Sequence, residues 1–236
     1  MMFQKSQQEF TSALTKKELC FAGAGLVLHI YLLPIIFIKL IDAGVLGETA
    51  GNFAVYAVMA AYVLAFAWKF LRRDFDALAD RPVAVAVEIL RGYFVMLCLN
   101  FLVSLILTYV ENGANPNNEA IFEMVAESSG PTTAMAVFLA PIIEEVLFRA
   151  GIFGAVRKLN RVAAYAVCAA AFAAYHLWAY IMQDASYAVY LVQYIPAALI
   201  LCRIYERSNT IWCPIGMHML VNYISLEMMD ALKEMV

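Results

Sequence analysis

What this sequence has least of is charge. Only 15% of its 236 residues are Asp, Glu, Lys or Arg, while 64% are hydrophobic; a soluble domain carries roughly 25% charged and 45–50% apolar residues. That scarcity excludes a chain solvated mainly by water. The net charge is only −3 and the basic residues fall in short clusters between apolar runs, so no nucleic-acid partner is expected. Paired cysteines are missing too. The five cysteines, Cys20, Cys98, Cys168, Cys202 and Cys213, lie scattered in apolar segments, without the CxxC spacing that zinc or a redox dithiol requires, and read as small core residues. No cleavable leader is evident, because a polar stretch up to Glu18 precedes a first apolar run that is itself long enough to span. There is no internal repeat or low-complexity linker. The longest polar connection, Glu111 to Pro131, is too short for a soluble domain.

What remains is a series of apolar segments. A helix needs about 20 apolar residues to cross the hydrocarbon core, and the segments that meet this are Leu19 to Ile41, Asn52 to Leu71, Val83 to Val110, Thr132 to Val156, Val162 to Met182, Tyr187 to Tyr205 and Ile211 to Met229. The expected fold is therefore all-α, a polytopic transmembrane bundle of about seven spans, with a kink or break at Pro141 in the fourth. Basic residues alternate between connections: Lys5, Lys16 and Lys17 precede span one; Lys69, Arg72, Arg73 and Arg81 follow span two; Arg157, Lys158 and Arg161 follow span four; Arg203 and Arg207 follow span six. The intervening connections are acidic or neutral, as in Glu111, Glu119, Glu123 and Glu127. The positive-inside rule then puts the N-terminus in the cytoplasm and the C-terminus outside, in a cell membrane. The chain divides into a cytoplasmic segment 1–18, accessory helices 19–130 and a candidate catalytic core 131–236.

Ionisable groups near the bilayer centre cost roughly 2.5–3.5 kcal/mol each on insertion scales, so those kept there face a bundle interior or a cavity. Span four carries Glu144, Glu145 and Arg149. Glu145 and Arg149, four apart, can pair along one face, which leaves Glu144 without a local counter-ion. Span five carries Phe172 and His176 on one face, after an alanine-rich stretch (Ala163, Ala164, Ala166, Ala169, Ala170, Ala171) suited to close helix approach. Span seven carries His218 and Asn222, also four apart. Together the three spans offer a carboxylate, two imidazoles and a carboxamide.

The ordered set EExxxR, FxxxH and HxxxN, with Phe148-Arg149 closing the first motif and Ile211-Trp212-Cys213-Pro214 leading into the third, resembles the signature of the CAAX-protease and bacteriocin-processing family (CPBP, or Abi). These are glutamic intramembrane endopeptidases that include the type 2 CAAX prenyl endopeptidases. The resemblance runs from about Pro131 to Asn222, while the first three spans resemble no family. It implies that Glu144, assisted by His176, activates a water as general base. It also implies that His218 and Asn222 hold the developing oxyanion, and that Glu145, Arg149 and Phe172 support them. No cofactor or metal is called for. The expected partners are the lipid bilayer and a peptide or protein tail at the membrane, and the family site opens toward the cytoplasm.

Other readings stand beside this one. Glu145 with Arg149 can be plain charge neutralisation inside a bundle. His29, with no motif around it, reads as a hydrogen-bonded packing residue. Glu144, His176 and His218 are also legitimate zinc ligands, but HExxH is missing. A non-catalytic immunity factor, scaffold or small transporter would use the same polar centre as a binding site. Depth poses a further problem. At 1.5 Å per residue His218 lies roughly 10 Å from the basic end of span seven, and His176 roughly 20 Å from that of span five. Either a boundary is displaced by a turn, or a helix is tilted or broken near Pro141 or Pro214.

Overall fold

The computed structural model describes residues 10–110, 115–127 and 129–234, and among them it is helical apart from residues 10–15 and short connections, with no strand. In chain order the helices are α1 (Lys16–Asp42), α2 (Glu48–Ala79), α3 (Pro82–Val110), α4 (Pro116–Glu127), α5 (129–157), α6 (Arg161–Gln183), α7 (Ala185–Ser208) and α8 (Trp212–Glu234). Among the described residues, α1, α2, α3, α6 and α7 are long and apolar enough to cross a membrane. The other two expected spans, α5 and α8, are continuous helices of the bundle, and they are the two that carry the Glu pair and the His-Asn pair. Apolar side chains such as Phe94, Phe101, Ile106 and Val162 stay exposed on the outside of the bundle; that is the surface a bilayer requires of a membrane protein. Cys20 and Cys98 belong to this exposed surface, which corrects the expectation that all five cysteines are core residues, while Cys168, Cys202 and Cys213 are buried.

Local signals set the ends of these helices. Thr15 caps α1 through a reciprocal capping box with Glu18. Asn160 accepts from the Ala163 N–H at the start of α6. Asn209, at φ 54°, takes the left-handed conformation that stops α7. Pro141 does not break α5. Instead the helix widens into π-helical turns at Met135–Leu139 and Glu145–Phe153, on either side of the missing donor. Gly92 lets α3 press on α7 and α8: a Cβ there would meet Met217 Sδ at 2.9 Å and Ile204 Cγ2 at 3.0 Å. The polar connection after α3 is not a bare loop, because Pro116–Glu127 forms a helix of 12 residues, α4; its Asn-Gly turn and Glu111 lie outside the described residues.

At the basic end the bundle is sealed by a polar network built around Asp74. Its carboxylate accepts from the Ser12 hydroxyl and, at 2.8 Å, from the Ile211 N–H, and its carbonyl accepts from the Thr210 hydroxyl at 2.7 Å. Ser12, Asp74 and Thr210 are all buried. The extended segment 10–15 is drawn into the same network: Asn209 Oδ1 accepts from the N–H groups of Thr11 and Ser12 at 2.8 and 2.9 Å, and the Tyr205 hydroxyl donates to the Ser12 carbonyl. Glu206 clasps α5 and α6 to α7 through Arg157 and Arg161 at 2.5 and 2.7 Å.

This network resolves the depth problem. The starts of α6 and α8 fall within one residue of where the sequence put them, but α8 begins beside Asp74, five residues inside the end of α2. That sets the start of α8 about 8 Å deeper than the end of α2 and brings His218 close to the level of His176.

Replacing Asp74 by Ala leaves the Ile211 N–H buried without an acceptor and the Ser12 hydroxyl with the Tyr205 hydroxyl, at 3.0 Å, in place of a carboxylate. The expected loss is about 1–3 kcal/mol, read as a lower thermal midpoint in detergent; an unchanged midpoint would show that the seal adds nothing to stability.

Candidate active site

Three of the four residues picked from the motifs meet at one point. Glu144 Oε2 on α5 lies 3.9 Å from His176 Nε2 on α6 and 3.9 Å from His218 Nε2 on α8. Glu144 is 4% exposed and its Oε2 has no hydrogen-bond partner in the protein. A separation of 3.9 Å is too long for a direct hydrogen bond and of the size that a bridging water fills. Among the described residues no group of three His, Cys, Asp or Glu side chains is placed to hold a metal ion.

The second nitrogen of each ring sets its tautomer. His176 Nδ1 lies 2.9 Å from the Phe172 carbonyl, one turn back on α6, so Nδ1 carries the hydrogen. His218 Nδ1 lies 2.7 Å from Glu145 Oε1 and carries it for the same reason. In the neutral rings both Nε2 atoms are therefore acceptors aimed at the space beside Glu144. His176 is fixed further by stacking on Tyr194, with ring centroids 4.4 Å apart and planes 24° apart.

Glu145 and Arg149 pair as their spacing suggests, with Arg149 NH1 3.0 Å from Glu145 Oε1 and both side chains at 0% exposure. The guanidinium lies 4.0 Å over the Phe172 ring and its nitrogens make no aligned hydrogen bond, so the charge rests on the carboxylate and the ring face. The link from Glu145 to His218 is not legible in the motif spacing. One carboxylate thus joins the cation of its own helix to the imidazole of another. Asn222 lies on the wall of the same cavity, one turn beyond His218, and its Nδ2 donates to the Ala136 carbonyl at 2.8 Å. The second N–H of that amide is left for another acceptor.

Other groups were not singled out in the sequence. The Tyr175 hydroxyl lies 3.4 Å from Glu144 Oε1 as its donor and 2.8 Å from His29 Nε2, and Tyr56 packs edge-on against His29. His29 is indeed a hydrogen-bonded buried residue, but its partner touches Glu144. The signal available was the position of Tyr175 beside His176; nothing in the sequence tied His29 to either. The cavity around these groups measures about 640 Å³, and among the described residues lining it, His apart, Glu144 is the one charged side chain. The remaining polar lining is carboxamide and hydroxyl, from residues such as Asn100, Asn115, Gln193 and Tyr194.

Replacing Arg149 by Met leaves Glu145 buried without its cation and is expected to cost about 3–5 kcal/mol. Changing the pair together, Glu145→Leu with Arg149→Met, is expected to recover most of that. Thermal midpoints of the two variants in detergent decide the matter: a double variant no more stable than R149M would refute the pairing.

No curated protein and no solved structure matches the chain. A family model does, over residues 127–224, which hold every motif residue and less than half of the chain. That model is described as Rce1-like, type II CAAX prenyl endopeptidase Rce1-like, and the segment carrying Glu144, His176, His218 and Asn222 is similar to this CAAX-protease family.

Proposed function

We propose that the protein is a glutamic intramembrane endopeptidase, with its catalytic core in residues 131–236, that hydrolyses a peptide bond in a membrane-associated peptide or protein tail. The observation that carries this reading is the convergence of Glu144 Oε2 with the Nε2 atoms of His176 and His218, each at 3.9 Å, on the wall of a large cavity. A water held there donates one hydrogen to Glu144 Oε2 and the other to His176 Nε2, and turns a lone pair toward the substrate carbonyl. Glu144 takes one proton as the water oxygen bonds to the carbonyl carbon, and His176 fixes the attacking atom. The C=O π pair moves onto oxygen. Asn222 has an N–H to offer that oxyanion, and His218, carrying a hydrogen on each ring nitrogen before the step and keeping both through it, offers a second from Nε2. When the C–N bond breaks, the nitrogen leaves as an amine with the proton taken from water. The other product is a carboxylic acid.

The surroundings fit that work. Glu145 on Nδ1 keeps His218 turned so that Nε2 faces the reacting space, and Tyr175 holds the far oxygen of Glu144. A lining of carboxamides and hydroxyls matches the donors and acceptors of a peptide backbone. The alternation of basic connections supports a cytoplasmic N-terminus and an outer C-terminus.

The test is incubation of the purified protein with a library of membrane peptides, with products read by mass spectrometry. Glu144→Gln is expected to lower kcat by about 10²–10⁴-fold and Asn222→Ala by about 10²–10³-fold, with chelators without effect. Tyr175→Phe is expected to lower kcat less than either and to leave KM unchanged. Product patterns that are the same in wild type and E144Q would move the protein to the non-catalytic class, and loss of cleavage in chelator would move it to the metal-dependent one.

A further inference from the structure

Of the three histidines in the chain, His29 is the one that the proposed chemistry does not use. It lies on α1, outside the segment that the family model covers, and is 4% exposed. A buried imidazole needs a partner for each ring hydrogen it carries, and His29 has a partner on one side only. Its Nε2 lies 2.8 Å from the Tyr175 hydroxyl, while its Nδ1 is buried without a hydrogen-bond partner among the described residues. In His176 the corresponding Nδ1 meets the carbonyl of the residue four back on its own helix. His29 sits in a π-helical turn, and its Nδ1 meets no such group.

That one-sidedness decides the tautomer. A neutral ring holds its hydrogen on one nitrogen, and the Tyr175 hydroxyl has one hydrogen for two neighbours, His29 Nε2 at 2.8 Å and Glu144 Oε1 at 3.4 Å. With the ring hydrogen on Nε2, two bonds form in series: His29 donates to the Tyr175 oxygen, and Tyr175 donates to Glu144, a charged acceptor. With it on Nδ1, Tyr175 gives its hydrogen to the nearer nitrogen and Glu144 Oε1 faces a lone pair. The Nδ1–H is then a buried donor with no acceptor, a rare and costly arrangement. The first tautomer therefore prevails. Tyr56, edge-on against His29, brings a second hydroxyl to Tyr175, and it can donate to that oxygen without taking its hydrogen.

We propose that His29 is a positioning residue of the active site: held with its hydrogen on Nε2, it turns the Tyr175 hydroxyl onto Glu144 and so fixes Oε1 while Oε2 acts on the water. This deepens the peptidase reading, since it rests on Glu144 being the base. It also makes α1, an accessory helix by its sequence, part of the machinery.

The first arm of the experiment needs no turnover. The full chain is prepared in detergent with nitrogen-labelled histidine, and the His29 ring signals are identified as those lost in His29→Gln. Nuclear magnetic resonance separates ring nitrogens that carry a hydrogen from those that do not. The expected result for His29 is a bare Nδ1 and a protonated Nε2; a hydrogen on Nδ1 overturns the inference. The second arm measures kcat and KM on the peptide of the membrane library that wild type cleaves fastest. His29→Leu is expected to lower kcat about tenfold, the size of one hydrogen bond, at unchanged KM. His29→Gln, which keeps a side-chain N–H, is expected to lose less. In a Tyr175→Phe background H29L is expected to cost nothing more, because its effect runs through that hydroxyl. An equal loss in both backgrounds marks a packing role and overturns the inference. If no peptide is cleaved, the peptidase reading falls, while the ring signals still show whether His29 directs Tyr175 onto Glu144.

Discussion

A carboxylate removed from water has to be balanced by groups the protein itself supplies, and the candidate site depends on how Glu145 is balanced. At 0% exposure it draws on Arg149 within α5 and His218 across in α8. Removing either charge of a buried pair leaves the other stranded at a cost of several kcal/mol, so the relative placement of the two helices is fixed by electrostatics as much as by packing. Phe172 enters the same arrangement by lending its ring face to the guanidinium and its carbonyl to His176. One ion pair therefore sets the orientation of both imidazoles, directly for His218 and through Phe172 for His176. Glu144, the neighbour that stays without a partner on Oε2, is left available for chemistry because Glu145 absorbs the cation.

The π-helical turns in α5 belong to the same account. Adjacent positions on a helix point about 100° apart, so the two carboxylates of α5 face different partners, and at the second of them the helix passes into the widened stretch Glu145–Phe153. It is buried along nearly its whole length, so the neighbouring helices hold a conformation that would be poor in isolation. A third π-helical turn, Leu28–Leu32 in α1, carries His29, whose ring reaches Tyr175 and through it Glu144. The accessory part of the chain thus contributes to the site from outside the segment that the family model covers.

Much of this was legible in the sequence because the features that revealed it act over short distances. Apolar run length locates spans, and the spacing of Glu145 with Arg149 or His218 with Asn222 fixes shared faces, so helix positions and faces could be read directly, while the grouping of Glu144, His176 and His218 came from the family resemblance. What was not legible depends on contacts between distant segments. Asp74 looks like one more acidic residue beside Arg72 and Arg73, and only the fold puts it against Ile211, a separation of 137 positions. The offset it imposes on α8 is what brings His218 level with His176, a problem that local rules could state but not solve. Helix α4 was hidden for a different reason: its sequence, PNNEAIFEMVAE, is polar at one end and follows turn residues, so composition described it as a connection. The bond between Glu145 and His218 escaped because a spacing rule assigns the carboxylate to the nearest cation and cannot register a second, cross-helix partner.

The seal at the basic end has a consequence for how the molecule is made. Thr11 and Asn209 are 198 positions apart, so the seal's polar groups have no partners while the chain is only partly inserted. The segment 10–15 finds its partners once α7 and the turn after it have arrived, and contacts of such long separation form late. Closure at this seam therefore reports that the intervening helices have been threaded in the right order, and an unfinished chain leaves Thr11 and Ser12 without the partners they have in the finished one.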